Sequence, residues 1–270
     1  MVAFATFLTA AFVTSHDSTS TRYGSGTKLR TTVNVNDNNN DNNKPSIHQD
    51  EDGTCVYGLK SYWDDMYQGD NSNSDSSDQL PAELYSWYCG WDELAPFWTM
   101  LVPDPTARVL VAGIGNDPTP IEMYDAGWNT SMTAFDYSEA GVARASQLFG
   151  VSRTQNVQLL TADARNLPLP DASIDATLDK GTLDAIYITG KDVFHDSVTE
   201  LARVTAEQGV VVCVSRVIMP NELMAAFDAR LWEVIHDGEL AFAPDGEATI
   251  DLGAELYSWR RRKEITATAL

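Results

Sequence analysis

The sequence predicts an α/β fold, a doubly wound and mostly parallel sheet of seven strands. Three features point there. Short β-branched runs, RVLVAGI among them, alternate with stretches whose apolar residues recur at helical spacing. The links between them are short, as strand–helix–strand units of a parallel sheet require. Four successive runs also close on glycines or an aspartate, at the strand ends where ligands of such sheets bind.

Residues 1–52 read as a disordered tail, because NVNDNNNDNNK (34–44) has too little apolar surface to order itself. The opening MVAFATFLTAAFV is too short to span a membrane. It reads either as a frayed apolar end or, with the hydroxyl-rich stretch behind it, as a two-part plastid address. The location is then cytoplasmic or plastid accordingly. Residues 53–105 form an aromatic N-terminal cap, in which the polar insert GDNSNSDSSDQLP (69–81) separates SYWDDMY from LYSWYCGW.

Residues 106–270 carry the sheet. RVLVAGI is the first strand, and TPIEMYDAG a short helix capped by Thr119 and closed by Gly127. SMTAFDYS is the second strand, EAGVARASQLFG a helix, VQLLTADA the third strand and IDATLDK the fourth. FHDSVTELARVT reads as a helix, GVVVCVSRVI as the fifth strand and NELMAAFDARLWEVI as one further helix. HDGELAFA and ELYSWRRR complete the count of seven strands.

The 270 residues are 43% hydrophobic, enough for a sizeable core, and carry a net charge of −21. So acidic a body repels phosphate backbones, which speaks against nucleic acid as partner and for a basic one such as a lysine-bearing protein. No membrane association is expected, and the chain is expected to be a monomer. Three widely spaced cysteines and four scattered histidines offer no metal-ligand spacing and no disulfide framework. Cys213 reads as a buried core thiol, and Arg260–Lys263 as a solvated strand end.

The first strand runs into Gly113, Gly115, Asn116 and Asp117. Pro118 stands where a dinucleotide fingerprint wants a third small residue, so the turn fits nicotinamide or flavin poorly. Asp136 closes the second strand, near the distance from Gly113 at which an acid reaches a ribose and accepts from both its hydroxyls. Asp163, then Ala164, closes the third strand; Asp179, then Lys180, closes the fourth. Any one of these acids serves equally well as a helix cap, and Lys180 with Asp184 reads as an ion pair fixing the following loop. Together the acids suit a nucleoside without phosphates, since carboxylates repel a pyrophosphate. S-adenosyl-L-methionine, with its ribose, adenine and cationic sulfonium, fits that description.

LVAGIGND, FDYSEAG, TADARNLPLPDASIDATLDKGTLDAI and the upstream YWDDMY and WYCGW resemble class I S-adenosylmethionine-dependent methyltransferases. They are most similar to the branch of lysine methyltransferases that act on elongation factor 1-alpha. The resemblance implies the seven-stranded Rossmann-like methyltransferase fold. It also implies that Gly113 lies against the methionine part of the cofactor, that Asp136 holds the ribose, and that Tyr137 lines the adenine. Asp163 and Ala164 correspond to the adenine-recognising pair, and Asp179 to the acid near the cofactor's amino group. Trp63, Tyr67 and Trp87 correspond to aromatic residues that close over it. Without the resemblance, those three rings read equally as packing of an N-terminal helix. Two positions depart from the family pattern: Ile114 stands for the usual cysteine and Asp117 for a common serine.

The function so implied is methyl transfer to a protein lysine. A small-molecule acceptor on the same fold, or a cofactor-binding interaction protein without turnover, is the alternative. The catalytic residues and the acceptor stay open at this stage.

Overall fold

The computed structural model describes residues 55–68, 84–238 and 254–263. The tail expected over 1–52, the insert 69–81 and the HDGELAFA run from residue 239 onward lie outside these residues. A 3-10 turn, Val56–Gly58, leads into α1 (Lys60–Gln68), and α2 (Trp91–Leu101) follows. Strands and helices then alternate: β1 (Arg108–Ala112), α3 (Thr119–Asp125), β2 (Ser131–Asp136), α4 (Glu139–Thr154), β3 (Val157–Thr161) and β4 (Ile174–Lys180). After them come α5 (Thr182–Thr189), α6 (Lys191–Val204), β5 (Thr205–Ser215), α7 (Pro220–Ala226), β6 (Trp232–Asp237) and β7 (Glu255–Arg261).

All seven strands join one sheet in the order β3-β2-β1-β4-β5-β7-β6, and β7 alone runs against its neighbours. The order reverses between β1 and β4, the place where a crevice opens in doubly wound sheets. Register makes that crevice specific. Ala112 stands opposite Phe135 of β2 and Asp179 of β4, and Asp136 stands opposite Thr161 of β3. The residues after these partners, Gly113, Asp136, Lys180 and Ala162, therefore emerge at one level.

Side chains alternate across the pleat. Val109, Val111, Leu178, Val212 and Val214 pack on one face with Leu94, Trp98 and Phe149. Leu110, Val211 and Cys213 face the other way, onto Phe194, Leu201 and Trp259. Cys213 is fully buried, as its β-branched surroundings predict.

Four expectations need correction. Thr119 does not cap α3: Pro118 holds that position, and Thr119, the first helical residue, donates its N–H to Asp117 Oδ1 at 2.9 Å. The carboxylate one step upstream performs the capping. The helix expected over NELMAAFDARLWEVI stops at Ala226, and its second half supplies β6. Asp228 accepts from the Arg230 N–H at 2.9 Å, a local turn that competes with helix. Phe227 stacks on Trp259 of β7 at 3.7 Å, so sheet packing overrides helical spacing. The residues Thr182–Thr189, left unassigned by the pattern, form α5. Their threonines and isoleucines are weak helix formers, and the turn is held by its flanks, Gly181 in left-handed backbone and Gly190. Lys180 also pairs with Asp117, not with Asp184.

Leu178, 1% exposed at the centre of β4, tests the packing. Leu178→Ala is expected to lower unfolding free energy by about 2–5 kcal/mol, the range for a buried leucine truncation, measured by urea denaturation.

Candidate functional site

The turn after β1 is built from two glycines that nothing else replaces. Gly113 has φ +58°, and a Cβ there would lie 2.1 Å from Thr182 Oγ1. Gly115 has φ +44°, and its Cβ would lie 2.4 Å from the Tyr67 hydroxyl. Both adopt backbone that disfavours side chains, and both are approached too closely to carry one. Thr182 Oγ1 donates to the Ala112 carbonyl at 3.0 Å, which draws the start of α5 against the turn.

Asp136 fastens that turn to the end of β2. Its Oδ2 accepts from the Gly115 N–H at 3.1 Å, its Oδ1 from the Ser138 N–H at 2.9 Å, and it is 4% exposed. Burial pushes its carboxyl up to about 6 despite those N–H bonds. Ser138 caps α4 by accepting from the Gly141 N–H at 3.2 Å, and its hydroxyl donates to Asp64 of α1 at 2.5 Å. The aromatic helix α1 is thereby moored over the glycine turn.

Aromatic rings form the opposite wall. Trp63 lies 5.9 Å from Tyr67, 6.0 Å from Trp87 and 6.1 Å from Tyr57, centroid to centroid, and its indole N–H donates to the Tyr57 carbonyl at 2.8 Å. Between this wall and the strand ends lies an open-mouthed cleft of about 270 Å³. Trp63, Tyr67, Trp87, Gly113, Asp136, Tyr137, Asp163 and Ala164 all line it. A cleft walled mostly by apolar groups with a few fixed polar ones is the usual form of a small-molecule site.

Comparison with known proteins bears on what the cleft takes. Residues 110–213 match the family model described as a methyltransferase domain. Over these residues the chain is similar to methyltransferases. EEF1A lysine methyltransferase 4 of Bos taurus is 32% identical over 171 residues, which span 62% of this chain and 59% of that protein. Protein-lysine N-methyltransferase EFM4 of Saccharomyces cerevisiae is 25% identical over 214 residues, 73% of this chain and 93% of that one. In fold, the domain is similar to the solved structure "Conversion of a Disulfide Bond into a Thioacetal Group during Echinomycin Biosynthesis". The two share a TM-score of 0.50 and 18% identity over 66% of this chain and 87% of that one. The names of both curated relatives are those of lysine methyltransferases, as the sequence resemblance implied.

The cleft suits S-adenosylmethionine on its own evidence. Its strand-end turn offers backbone without side chains, its acids disfavour phosphates, and its rings offer faces to a sulfonium. Three of the expected site residues lie outside the lining. Gly115 and Asn116 are buried within the turn, where Gly115 acts on Asp136 through its N–H. Asp179 is fully buried: Oδ1 accepts from the Leu183 N–H at 3.0 Å, and the Cys213 thiol donates to Oδ2 at 3.1 Å. Opposite Cys213 in the sheet, it faces the α5–α6 layer, and these partners take up its carboxylate beneath the lining. Asp163 reaches the cleft already paired, with Arg165 Nη2 at 2.6 Å and the Arg165 N–H at 2.9 Å. Arg165 holds its carboxyl below the usual range.

Sequence reasoning missed Tyr57, Arg165, Thr182 and the α5–α6 wall of Ile186, Val193 and Ser197. Thr182 was signalled by the glycine before it, because a left-handed residue closing a strand announces a helix start. Asp184 was also misread. Its carboxylate accepts from the Tyr88 hydroxyl at 2.6 Å, from Ser215 Oγ at 2.5 Å and from the backbone N–H of Arg216 at 2.9 Å. It therefore joins the cap segment to the end of β5.

Burial pushes the Asp179 carboxyl up to about 7. An acid whose folded pKa lies above its unfolded value binds its proton more tightly when folded, so this group costs stability as pH rises from about 4 through 7. Asp179→Asn removes the titration. Denaturation between pH 4.5 and 7.5 is expected to show a steeper decline in the natural chain than in the variant.

Proposed function

We propose that this chain transfers the methyl group of S-adenosylmethionine to a lysine side chain of a protein, with elongation factor 1-alpha the first acceptor to test. One observation carries the reading: an aromatic-roofed cleft at the strand-order reversal, with a buried carboxylate and a side-chain-free turn on its floor. The names of the relatives support the acceptor class, and the net charge of −21 favours a basic partner.

In this reading Asp136 accepts from the ribose hydroxyls. Tyr137 and Ala164 flank the adenine, and Asp163 receives its amine beside Arg165. The Gly113 backbone meets the methionine portion, while Gly115 and Asn116 shape the turn from within. Asp179 acts through the Leu183 N–H, fixing the start of α5. When bound, S-adenosylmethionine supplies an electrophilic methyl on a cationic sulfur. Trp63, Tyr67 and Trp87 present ring faces to that positive charge, each worth about 0.5–2 kcal/mol.

The residues' remaining task is alignment. Holding two reactants in line lowers the barrier by about 7–11 kcal/mol without any acid or base. The acceptor amine must arrive neutral, and apolar walls favour this by desolvating its ammonium form.

Asp136→Ala is expected to weaken S-adenosylmethionine binding by about 1.5–3 kcal/mol, roughly 10- to 150-fold, measured by calorimetry. An unchanged affinity removes Asp136 from the ribose site. With methyl-labelled cofactor and a cell lysate, label is expected on lysine of a protein band matching elongation factor 1-alpha. Label confined to metabolites contradicts a protein acceptor, and binding without any label contradicts turnover.

A further inference from the structure

Lys180 lines the cleft, and the cleft reading alone gives it no role. Its side chain is 4% exposed, and that of its partner Asp117 15% exposed. A lysine ammonium has three N–H bonds and no acceptor. Here three acceptors surround it: Asp117 Oδ2 at 2.6 Å, Ser86 Oγ at 2.8 Å and the Trp87 carbonyl at 2.8 Å. No N–H remains for the carboxylate of a bound amino acid. Nor does an ion-paired ammonium have a lone pair with which to take a proton from an acceptor amine.

Two of the three acceptors belong to the turn that presents Trp87. The same turn is gripped elsewhere. Ser86 Oγ lies 2.7 Å from the Cys89 carbonyl and 3.0 Å from Thr119 Oγ1. Tyr88 takes φ +66°, left-handed backbone that is costly for a residue with a bulky side chain, and its hydroxyl is held by Asp184. A strained turn persists only where its surroundings over-determine it. The Trp87 ring stands out from this mount into the cleft, against Tyr57 at 5.5 Å and Tyr85 at 5.0 Å.

We infer that Lys180, with Asp117 as counter-ion, is a positioning residue that sets the Trp87 ring over the cofactor site before the cofactor arrives. The inference gives Asp117 its place: its carboxylate neutralises the buried ammonium and is itself held by the Thr119 N–H and the Ser86 hydroxyl. It rests on the reading of the cleft as an S-adenosylmethionine site and assigns within it the group that mounts one wall.

Removing one member of a buried pair strands the other, so the test replaces both. In the full chain, Asp117→Leu with Lys180→Met is expected to melt within a few degrees of the natural protein. By calorimetry it is expected to bind S-adenosylmethionine about tenfold more weakly, the scale of one misplaced cation–aromatic contact. Trp87→Ala alone is expected to weaken binding by a similar factor. The decisive variant combines all three substitutions and is expected to bind no more weakly than Trp87→Ala, because the pair acts through that ring. Ser86→Ala leaves the ion pair intact and is expected to shift affinity in the same direction, by less, and only when Trp87 is present. It carries the test should the double replacement not fold.

Multiplicative losses in the combined variant, or natural affinity in the paired replacement, overturn the positioning role. Failure of the unsubstituted chain to bind S-adenosylmethionine overturns the cofactor reading itself, and the assignment of Lys180 with it.

Discussion

One buried carboxylate holds the site together. Asp136 receives N–H bonds from Gly115, on the turn after β1, and from Ser138, at the mouth of α4. Ser138 in turn reaches Asp64, so the same short chain of contacts runs from the sheet to the aromatic helix above it. Each participant is where register puts it: parallel strands ending at one level, with glycine where the backbone must pass close to other atoms. Burying a carboxyl raises its pKa, and the protein tolerates that cost at the point where the proposed reading sets the ribose hydroxyls.

A buried ion pair is the second anchor. The Lys180–Asp117 pair sits on the other flank of the glycine turn, saturated by Ser86 and the Trp87 carbonyl. Its desolvation offsets much of its attraction, so net stability is a poor reason for its presence. Geometry is a better one: it fixes the strained turn at Tyr88 and hence the direction of an aromatic wall. Asp184 grips the same turn from the far side and binds it to the end of β5. One polar network thus moors α1 and the other Trp87 above the same cleft.

Much of this was legible in the residues. β-Branched runs marked the strands, and the interval from Gly113 to Asp136 placed an acid beside the glycine turn. What pattern reading could not supply were interactions between segments far apart in sequence. Lys180 was assigned to its near neighbour Asp184, whereas the sheet sets β1 beside β4 and hands it Asp117. Residues 232–235 carry helical spacing yet pair with β7, because Phe227 and Trp259 stack across the layer. Asp179 shares the pattern of the other strand-end acids, but the pleat turns it the opposite way. Asp163 kept part of the ordinary role of such residues, accepting from the backbone two positions on.

A crystal structure of the chain with S-adenosylhomocysteine tests the central claim most directly. The account predicts both ribose hydroxyls within hydrogen-bond distance of the Asp136 carboxylate, with the adenine beside Tyr137 and Ala164. Adenosine bound anywhere else, with Asp136 still serving only Gly115 and Ser138, would contradict it.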